Sequence, residues 1–344
     1  MEFKLDLVVL ERGLPQGAPE SPLIFVLVSE LVLRPLLARW RARGSGWQVD
    51  GLWVAAVCYA DDVLLLSSSL QDLQLMLAEI TEAFSCVGLE VGIPKTHWTS
   101  FPPREGHCLR WSGHDLAWEH SLTFVGSVID LSGCDARAVD YRIAQATKAL
   151  GRWKPMLSCK WVSCLRRSFL VYKSIFASAL WLNECLNPTQ ALRSRFDSWG
   201  ARLLGRTYGV KSLPDDEPGD FWKRMHRKGH ALCKRFGGSL SELRDRAYHR
   251  WAGHLARSPA GILHTAVRTR CLAWWRFFQH PLLPLHPRRF GRPSRWESAL
   301  ENYYGVSADD DPMVRNPGWL GLAQDRLQWK TSEKEFVENV RKRL

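Results

Sequence analysis

The hydrophobic positions in the first third of the chain change between helical and strand spacing. Apolar residues dominate 23–36 and predict a mostly buried helix, with Ser21 as its N-cap and Pro22 at its first position. Residues 54–66 are apolar and β-branched on both sides of a short polar step, which predicts two strands joined by a tight turn. Helical spacing returns over 70–84 and predicts an amphipathic helix that covers the sheet. The pattern favours an antiparallel sheet backed by helices.

From residue 135 the pattern becomes helical and basic. Lys and Arg recur among apolar residues as far as Leu182, which predicts two or three amphipathic helices interrupted at Pro155. A polar stretch with prolines at 213–220 predicts a further boundary. We therefore expect an α+β fold, in which a sheet-containing unit is followed by an all-helical basic region. The predicted units are 1–134, 135–212 and 213–344.

The net charge is divided in the same way as the hydrophobic pattern. The chain of 344 residues carries +12, of which residues 1–134 contribute −7 and residues 135–344 contribute +19. A basic region of this kind is a candidate surface for a polyanion such as nucleic acid. Ordinary solvated helix faces are the alternative interpretation.

Composition also bears on the compartment and on metal sites. No apolar run reaches the ~18 residues of a membrane span, and the N-terminal residues lack the pattern of a signal peptide. We therefore expect an intracellular protein, nuclear or cytoplasmic, that is neither secreted nor bound to a membrane. The nine cysteines include no Cys-x-x-Cys pair, and His249, His254 and His264 have no cysteine at zinc-finger spacing, so a zinc site is not expected.

Two adjacent carboxylates, Asp61 and Asp62, stand at the polar step between the two predicted strands. Holding two carboxylates together beside apolar residues is costly unless a cation neutralises them. Mg²⁺ is the natural partner, because it prefers carboxylate oxygen ligands. A plain hairpin turn is the alternative, since aspartate is common in turns.

Four motifs follow one another over about 120 residues of the chain. They are Gly13-Leu-Pro-Gln-Gly-Ala-Pro-Glu-Ser-Pro22, Tyr59-Ala-Asp-Asp62, Gly88-Leu-Glu-Val-Gly-Ile-Pro-Lys-Thr96 and Leu122-Thr-Phe-Val-Gly-Ser-Val-Ile129. In this order they resemble the palm of a reverse transcriptase, and more narrowly that of non-LTR retrotransposons. The resemblance implies RNA-directed DNA synthesis on an RNA template and a DNA primer, with dNTP as the incoming nucleotide and Mg²⁺ or Mn²⁺ as the metal.

The resemblance also implies a role for individual residues. Asp61 would be the principal metal ligand and Asp62 would assist it, while Lys95 would offset charge on the pyrophosphate. A solvated turn lysine is the alternative interpretation of Lys95. The residues expected to line the nucleotide and template pocket are Gln16, Gly17 and Tyr59. The residues expected to grip the primer end are Phe124, Val125 and Gly126.

The basic region occupies the place of the family's helical thumb, which holds the primer–template duplex by its backbone. The expected backbone contacts are Arg152, Lys160, Arg166 and Arg167. Further along, the stretches around Trp251, Trp296 and Trp329 resemble a tail that follows the polymerase in some non-LTR elements. Tryptophan and arginine together would stack on bases and contact phosphates. For Trp251, Trp319 and Trp329 we favour the core of a small helical domain instead.

One expected residue is missing from the pattern. The family's remaining metal-binding aspartate lies on a strand well upstream of the Gln16 loop, and Asp6 stands too close to that loop to replace it. We read Asp6 as a surface residue and expect an N-terminally truncated palm that binds metal weakly and is inactive alone. A noncatalytic nucleic-acid-binding protein on a decayed palm is the alternative function, and a truncated gene product with no independent role is a third. The pattern predicts no oligomeric state.

Overall fold

The structure is a computed structural model that divides into two compact units, Met1–Ser132 and Gly133–Leu344. It describes residues 17–49, 52–111, 113–131, 135–159, 161–187, 189–258, 263–268, 296–305 and 318–343. The predictions for Asp6, Gln16 and Lys160 lie outside the described residues.

The first unit contains two long helices, α1 (Ser21–Arg43) and α2 (Leu70–Cys86). The predicted N-cap of α1 is wrong by one residue, because Glu20 already has helical backbone angles and Ser21 becomes the first helical position. The helix ends at Gly44, whose left-handed conformation (φ 77°) suits glycine. The helix α2 begins at the predicted place, where the Ser69 side chain accepts a hydrogen bond from the Asp72 backbone amide.

The burial of α1 differs from the prediction. Only its C-terminal half is buried, through Val32, Leu33, Leu36 and Trp40, while Leu31 is 76% exposed. Apolar side chains occur on all sides of this helix, so their spacing does not reveal which ones meet a neighbour. The neighbour, α2, covers the C-terminal half only.

By length and composition α1 is apolar enough to cross a membrane, contrary to the expectation from run length alone. Its two central charges, Glu30 and Arg34, form an ion pair at 2.6 Å on the helix surface. Core helices of soluble proteins meet the same criterion, so this property assigns no location.

Eight short strands pair as four antiparallel hairpins within the described part of the first unit. The strands are β1 (Trp47–Val49), β2 (Leu52–Val54), β3 (Ala56–Tyr59), β4 (Asp62–Leu65), β5 (Cys108–Trp111), β6 (His114–Ala117), β7 (Ser121–Phe124) and β8 (Ser127–Asp130). The chain changes partner at the buried Ala55, because β2 pairs with β1 whereas β3 pairs with β4. The α+β fold is confirmed, although the described strands form separate pairs rather than one sheet.

The second helix, α2, packs against apolar clusters on two sides. Met76, Ile80 and Phe84 contact the buried half of α1, while Leu77 packs in a cluster with Trp98. The predicted stripe of Leu70, Leu73, Leu77, Ile80 and Phe84 is thus shared between the two clusters, and Met76 is a buried position that the prediction did not include.

An ion pair also joins α1 to α2. Glu79 accepts hydrogen bonds from Trp40 Nε1 at 2.5 Å and from two nitrogens of Arg43 at 2.8 and 3.1 Å. The Arg43 hydrogen bonds lower the pKa of Glu79. The carboxylate therefore stays charged and connects the C-terminal end of α1 to the middle of α2.

The described residues of the second unit form helices and the loops between them, and a helical segment at 263–268 is among them. The other helices of this unit are α3 (Ala136–Ser158), α4 (Cys164–Leu170), α5 (Ala177–Leu180), α6 (Gln190–Thr207), α7 (Pro218–Phe236), α8 (Leu240–Ala256), α9 (Ser298–Tyr304), α10 (Trp319–Leu322) and α11 (Arg326–Arg343). A π-helical stretch, Val171–Phe176, joins α4 to α5. The predicted interruption at Pro155 is wrong, since Pro155 lies inside the last turn of α3, where a missing N–H removes only one helical hydrogen bond.

Helices α6 and α7 lie unusually close together because glycines face the contact. A methyl group added at Gly229 would lie 2.1 Å from the backbone oxygen of Ala201, and one at Gly205 would lie 2.7 Å from Met225. Leu204, Leu232 and Cys233 belong to the same buried cluster. The polar stretch at 213–217 therefore connects two helices that share one core.

A second cluster in this unit is rich in aromatic rings. His249 is fully buried and stacks on Trp329, with ring centroids 4.1 Å apart and planes 9° apart. Its Nε2 lies 2.6 Å from the Tyr304 hydroxyl, and Trp329 Nε1 donates to the His249 carbonyl at 2.9 Å. Trp319 and Trp329 are buried and Trp251 packs against them, so the prediction of a tryptophan core is confirmed.

The glycine contact yields the first prediction. Gly229→Ala should destabilise the second unit by about 2–3 kcal/mol, because the added methyl group overlaps the backbone of α6. Gly151→Ala is the matched control: it lies in α3 with open space around it, and it should stabilise by about 0.5–1 kcal/mol. Urea unfolding of both variants measures the two free energies. Equal shifts in the two variants would contradict the close packing of α6 on α7.

The buried histidine yields a prediction about pH. Burial lowers the pKa of His249 to about 4, so below pH ~6.5 the unfolded chain takes up a proton that the folded chain refuses. The free energy of unfolding should therefore fall by about 2 kcal/mol between pH 7 and pH 5 from this residue alone. His249→Asn should remove that part of the pH dependence, whereas the exposed His254→Gln should leave it unchanged. Denaturant unfolding at the two pH values measures it, and an unaltered pH dependence in His249→Asn would refute the assignment.

Candidate functional site

The two carboxylates lie at the tip of the β3–β4 hairpin. Tyr59 pairs with Asp62, and the two residues between them, Ala60 and Asp61, form the turn. Ala60 has a φ of 51°, a left-handed conformation that is uncommon for a residue other than glycine. Backbone strain of this kind occurs at functional turns. The prediction that residues 54–66 form a hairpin with the carboxylates at its turn is confirmed.

The surroundings of the two carboxylates leave them available to a cation. Asp61 and Asp62 are both exposed, and no described residue forms a hydrogen bond or ion pair with either side chain. The base of the hairpin is held by Val63 and Leu65, which pack beside Trp53 against the α1–α2 core. The carboxylates thus stand at the exposed end of an anchored element.

The two carboxylates of this turn supply part of the ligand set that a hard divalent cation needs. Two carboxylates from adjacent residues are ligands that Mg²⁺ or Mn²⁺ prefers. Within the described residues, no group of three or more His, Cys, Asp or Glu side chains is placed to hold a metal ion. Asp61 and Asp62 therefore fit as two ligands of a larger set.

The structure gives the local position of the other described residues predicted for the pocket, but fewer contacts between them and the hairpin. Gly17 precedes α1 with a φ of 92°, and a methyl group there would contact nothing within 4 Å, so its backbone conformation rather than its small size requires glycine. Lys95 is exposed at the end of a short 3₁₀ turn, Ile93–Lys95. Tyr59 is 58% exposed beside the carboxylates. No hydrogen bond among the described residues joins Gly17 or Lys95 to the hairpin, and their convergence on it stays a prediction.

The segment predicted to grip the primer is a second tight hairpin. Phe124 pairs with Ser127, and the turn between them is Val125 and Gly126, with φ values of 49° and 69°. Positive φ at both central residues gives the turn geometry that matches the twist of paired strands. Valine is a marked outlier in this conformation, because its β-branched side chain crowds the backbone.

The predicted backbone contacts fall into two kinds. Arg152 on α3 and Arg166 on α4 are exposed. Arg167 is half-buried and its Nη2 donates to the Cys159 carbonyl at 2.8 Å, which ties α4 to the end of α3. Neighbouring arginines in the sequence thus have different surroundings.

An exposed apolar stripe beside Arg166 was not identified from the sequence. Trp161 is 94% exposed, Leu165 71% and Phe169 62%, and the three follow one another at intervals of four residues. The sequence predicts amphipathic helices with basic faces here, and that pattern does not show which apolar residues are exposed. The spacing distinguishes the exposed residues from the buried ones. Val171 and Ile175 are fully buried, and they do not fall on the four-residue spacing of Trp161, Leu165 and Phe169.

Comparisons with known proteins agree with the first unit. Residues 3–129 match the family described as reverse transcriptase (RNA-dependent DNA polymerase). The chain is 28% identical to the transposon TX1 uncharacterized 149 kDa protein of Xenopus laevis, over 60% of this chain and 16% of that protein. It is 34% identical, over 27% of this chain and 8% of the relative, to the retrovirus-related Pol polyprotein from type-1 retrotransposable element R2 of Nasonia vitripennis.

A third relative is the corresponding polyprotein of type-2 retrotransposable element R2DM of Drosophila melanogaster, 33% identical over 24% of this chain and 8% of the relative. The chain thus spans less than a fifth of each of these three proteins.

Proposed function

We propose that the chain takes part in RNA-directed DNA synthesis, because residues 3–129 match the reverse transcriptase family and the similar proteins are named for transposon TX1 and the retrotransposable element R2. The observation that carries the proposal is the β3–β4 hairpin, which presents Asp61 and Asp62 unpaired at its tip inside the matched segment. The nucleic-acid partners are an RNA template and a DNA primer, and dNTP is the co-substrate.

Each residue of the pocket has a proposed task. Asp61 holds the divalent metal and Asp62 assists it, and a metal bound there supplies charge stabilisation for the attacking 3′-oxygen and the leaving pyrophosphate. The exposed ammonium of Lys95 neutralises pyrophosphate charge. Gln16, Gly17 and Tyr59 line the nucleotide and template pocket.

Two further surfaces hold the duplex. The Phe124–Gly126 turn presents backbone and a half-buried aromatic ring to the primer end. Arg152 and Arg166, both exposed, contact phosphates, as does Lys160. Trp161, Leu165 and Phe169 extend the Arg166 surface with apolar side chains of the kind that contact bases.

We also propose that these 344 residues alone do not extend a primer. Two-metal catalysis needs ligands on more than one side of the cations, whereas Asp61 and Asp62 reach them from a single turn. Positioning and charge stabilisation each contribute several kcal/mol to such a reaction, and every ~1.4 kcal/mol is a tenfold change in rate.

A noncatalytic nucleic-acid-binding role is the second candidate. The observation that favours it is the exposed α4 surface, which joins an arginine to apolar side chains without any contribution from the carboxylates. In that case the hairpin would be a scaffold, and binding would persist when its carboxylates are removed.

The catalytic proposal is tested with the metal and with a primer. Mn²⁺ titrated into the 344-residue chain, followed by water-proton relaxation, should bind weakly, with a Kd of about a millimolar or more. Asp61→Asn with Asp62→Asn should abolish that binding. Asp115→Asn, an exposed aspartate on β6, is the matched control and should not change it.

Primer extension on an RNA template completes this test. The unaltered chain and the double Asp→Asn variant should give the same absence of product with Mg²⁺ or Mn²⁺. Extension by the unaltered chain that the double substitution abolishes would overturn the proposed inactivity, and would mean that another carboxylate, such as Asp6 or one from a second chain, completes the site. Mn²⁺ binding that the double substitution leaves intact would reject the proposed ligands.

The two neighbouring arginines provide the test of duplex binding. Arg166→Gln should weaken binding of an RNA–DNA duplex and reduce the slope of log K against log salt by about 1. Arg167→Gln should instead lower the free energy of unfolding, because its guanidinium holds the Cys159 carbonyl. Fluorescence anisotropy between 50 and 200 mM salt measures the slope. Identical slopes for the parent and Arg166→Gln would remove Arg166 from the interface.

A further inference from the structure

Helix α7 carries a row of cations on the side that faces away from its core. The row, called here the α7 outer face, consists of the cations Lys223, Arg227 and Lys234 together with His230, and the four follow one another at intervals of about one helical turn. All four are exposed. Lys228 and Arg235 are also exposed and flank the row. The helix as a whole contains six Lys and Arg residues and one carboxylate, Asp220.

The charges of this row are largely uncompensated. Lys223 lies 3.3 Å from Asp220, and that pair is exposed on both sides. Arg227, Lys228 and Lys234 have no carboxylate partner among the residues that the structure describes. A helix face that only needed solubility would gain from acidic residues at i,i+4 spacing, and the α7 outer face has none.

Arg224 shows what a structural arginine on the same helix looks like. Its guanidinium forms two hydrogen bonds with the Asp216 carboxylate and a third with the Lys211 carbonyl at 2.9 Å. These hydrogen bonds lower the pKa of Asp216 to about 2. The hydrogen bonds of Arg224 therefore hold the preceding loop against α7. Among the described residues, the outer-face cations form no such bonds to another element.

The inner side of α7 makes the row rigid. Met225, Leu232 and Cys233 are buried, and Gly229 lies directly on the α6 backbone. From Lys223 to Lys234 the helix rises about 16 Å. The cations are thus held along a straight line, so little conformational entropy of the backbone is lost when a ligand binds.

Positive charge continues on the neighbouring helix. Arg206 is exposed in the last turn of α6. Burial first, and then the charges of Arg202 and His230, lower the pKa of His226, which places Arg202 beside α7. Helix α6 thus also carries cations, but it packs against the inner side of α7, and the outer face is formed by α7 alone.

We infer that the α7 outer face binds the sugar–phosphate backbone of a nucleic-acid duplex. A linear row of cations on a rigid helix complements the regular phosphates of a duplex. None of the four residues of the row is aromatic, and Trp222 beside Lys223 is one exposed ring rather than the series of stacking platforms that binds single strands. The choice of nucleic acid as the polyanion rests on the proposed function. The site itself lies outside Arg152–Arg167 and needs no catalytic carboxylate.

The test compares two triple variants of the full 344-residue chain. The first is Lys223→Gln, Arg227→Gln, Lys234→Gln. The second, the matched control, is Lys330→Gln, Lys334→Gln, Lys342→Gln, which removes three exposed lysines from α11, where acidic residues are interspersed. Both lose the same charge, and circular dichroism confirms that both are folded.

The probes are an RNA–DNA hybrid duplex, a DNA duplex and a single-stranded RNA of equal length. At 100 mM salt the α7 variant should bind both duplexes at least tenfold more weakly than the parent, with a salt slope lower by about 2–3. The α11 variant should match the parent. Failure of the catalytic proposal shows in the Mn²⁺ and primer-extension measurements, whereas failure of this inference shows in duplex binding by the α7 variant, so the two failures are distinguishable. Equal weakening in both triple variants, or a loss confined to single-stranded RNA, would overturn the inference.

Discussion

The packing of α2 is the constraint on which the first unit depends. Met76 and Ile80 face α1 and the base of the β3–β4 hairpin, while Leu77 faces the tryptophan cluster of β5 and β6. Burial of each large apolar side chain contributes on the order of 1.5–3 kcal/mol, far more than an exposed ion pair. The hairpin has only four residues in each strand, and an isolated pair of that size is marginal in water. Asp61 and Asp62 keep their position because α2 holds the strands beneath them.

The two units carry net charges of opposite sign, which suits them to different ligands. The sheet-containing unit is acidic and places two uncompensated carboxylates at an exposed turn, whereas the helical unit is strongly basic. A divalent cation and a polyanion are therefore attracted to different parts of the chain. Within the helical unit three buried charges are paired: Arg193 and Arg244 both bond to the Asp245 carboxylate, and all three are almost fully buried. Charges paired in this way are neutralised inside the core and add little to the surface field, while removal of one partner would leave a costly unpaired charge.

The sequence predicted local structure well where one physical requirement dominated. Alternation and turn chemistry identified the hairpin at 54–66, and helical spacing identified α2. The sequence did not predict burial correctly where an apolar face is covered by an element that is distant along the chain. The apolar residues of α1 and those around Phe169 looked like buried faces, yet much of each is exposed. Periodicity reports that a stripe is apolar, and only the tertiary partner determines whether it is covered.

The sequence also does not show which charged residues are free to bind a ligand. Arg166 and Arg167 are indistinguishable in composition, and so are Arg224 and Arg227. In each pair the structure assigns one guanidinium to the protein's own carbonyls or carboxylates and leaves the other exposed. The difference arises from rotation about the helix axis: residues one or three positions apart point in directions that differ by about 100° or 60°, and only one of each pair then meets a neighbouring element. Net charge therefore overstates the binding surface of a basic helical region. The cations that can neutralise phosphates are those that remain after the internal hydrogen bonds have been satisfied.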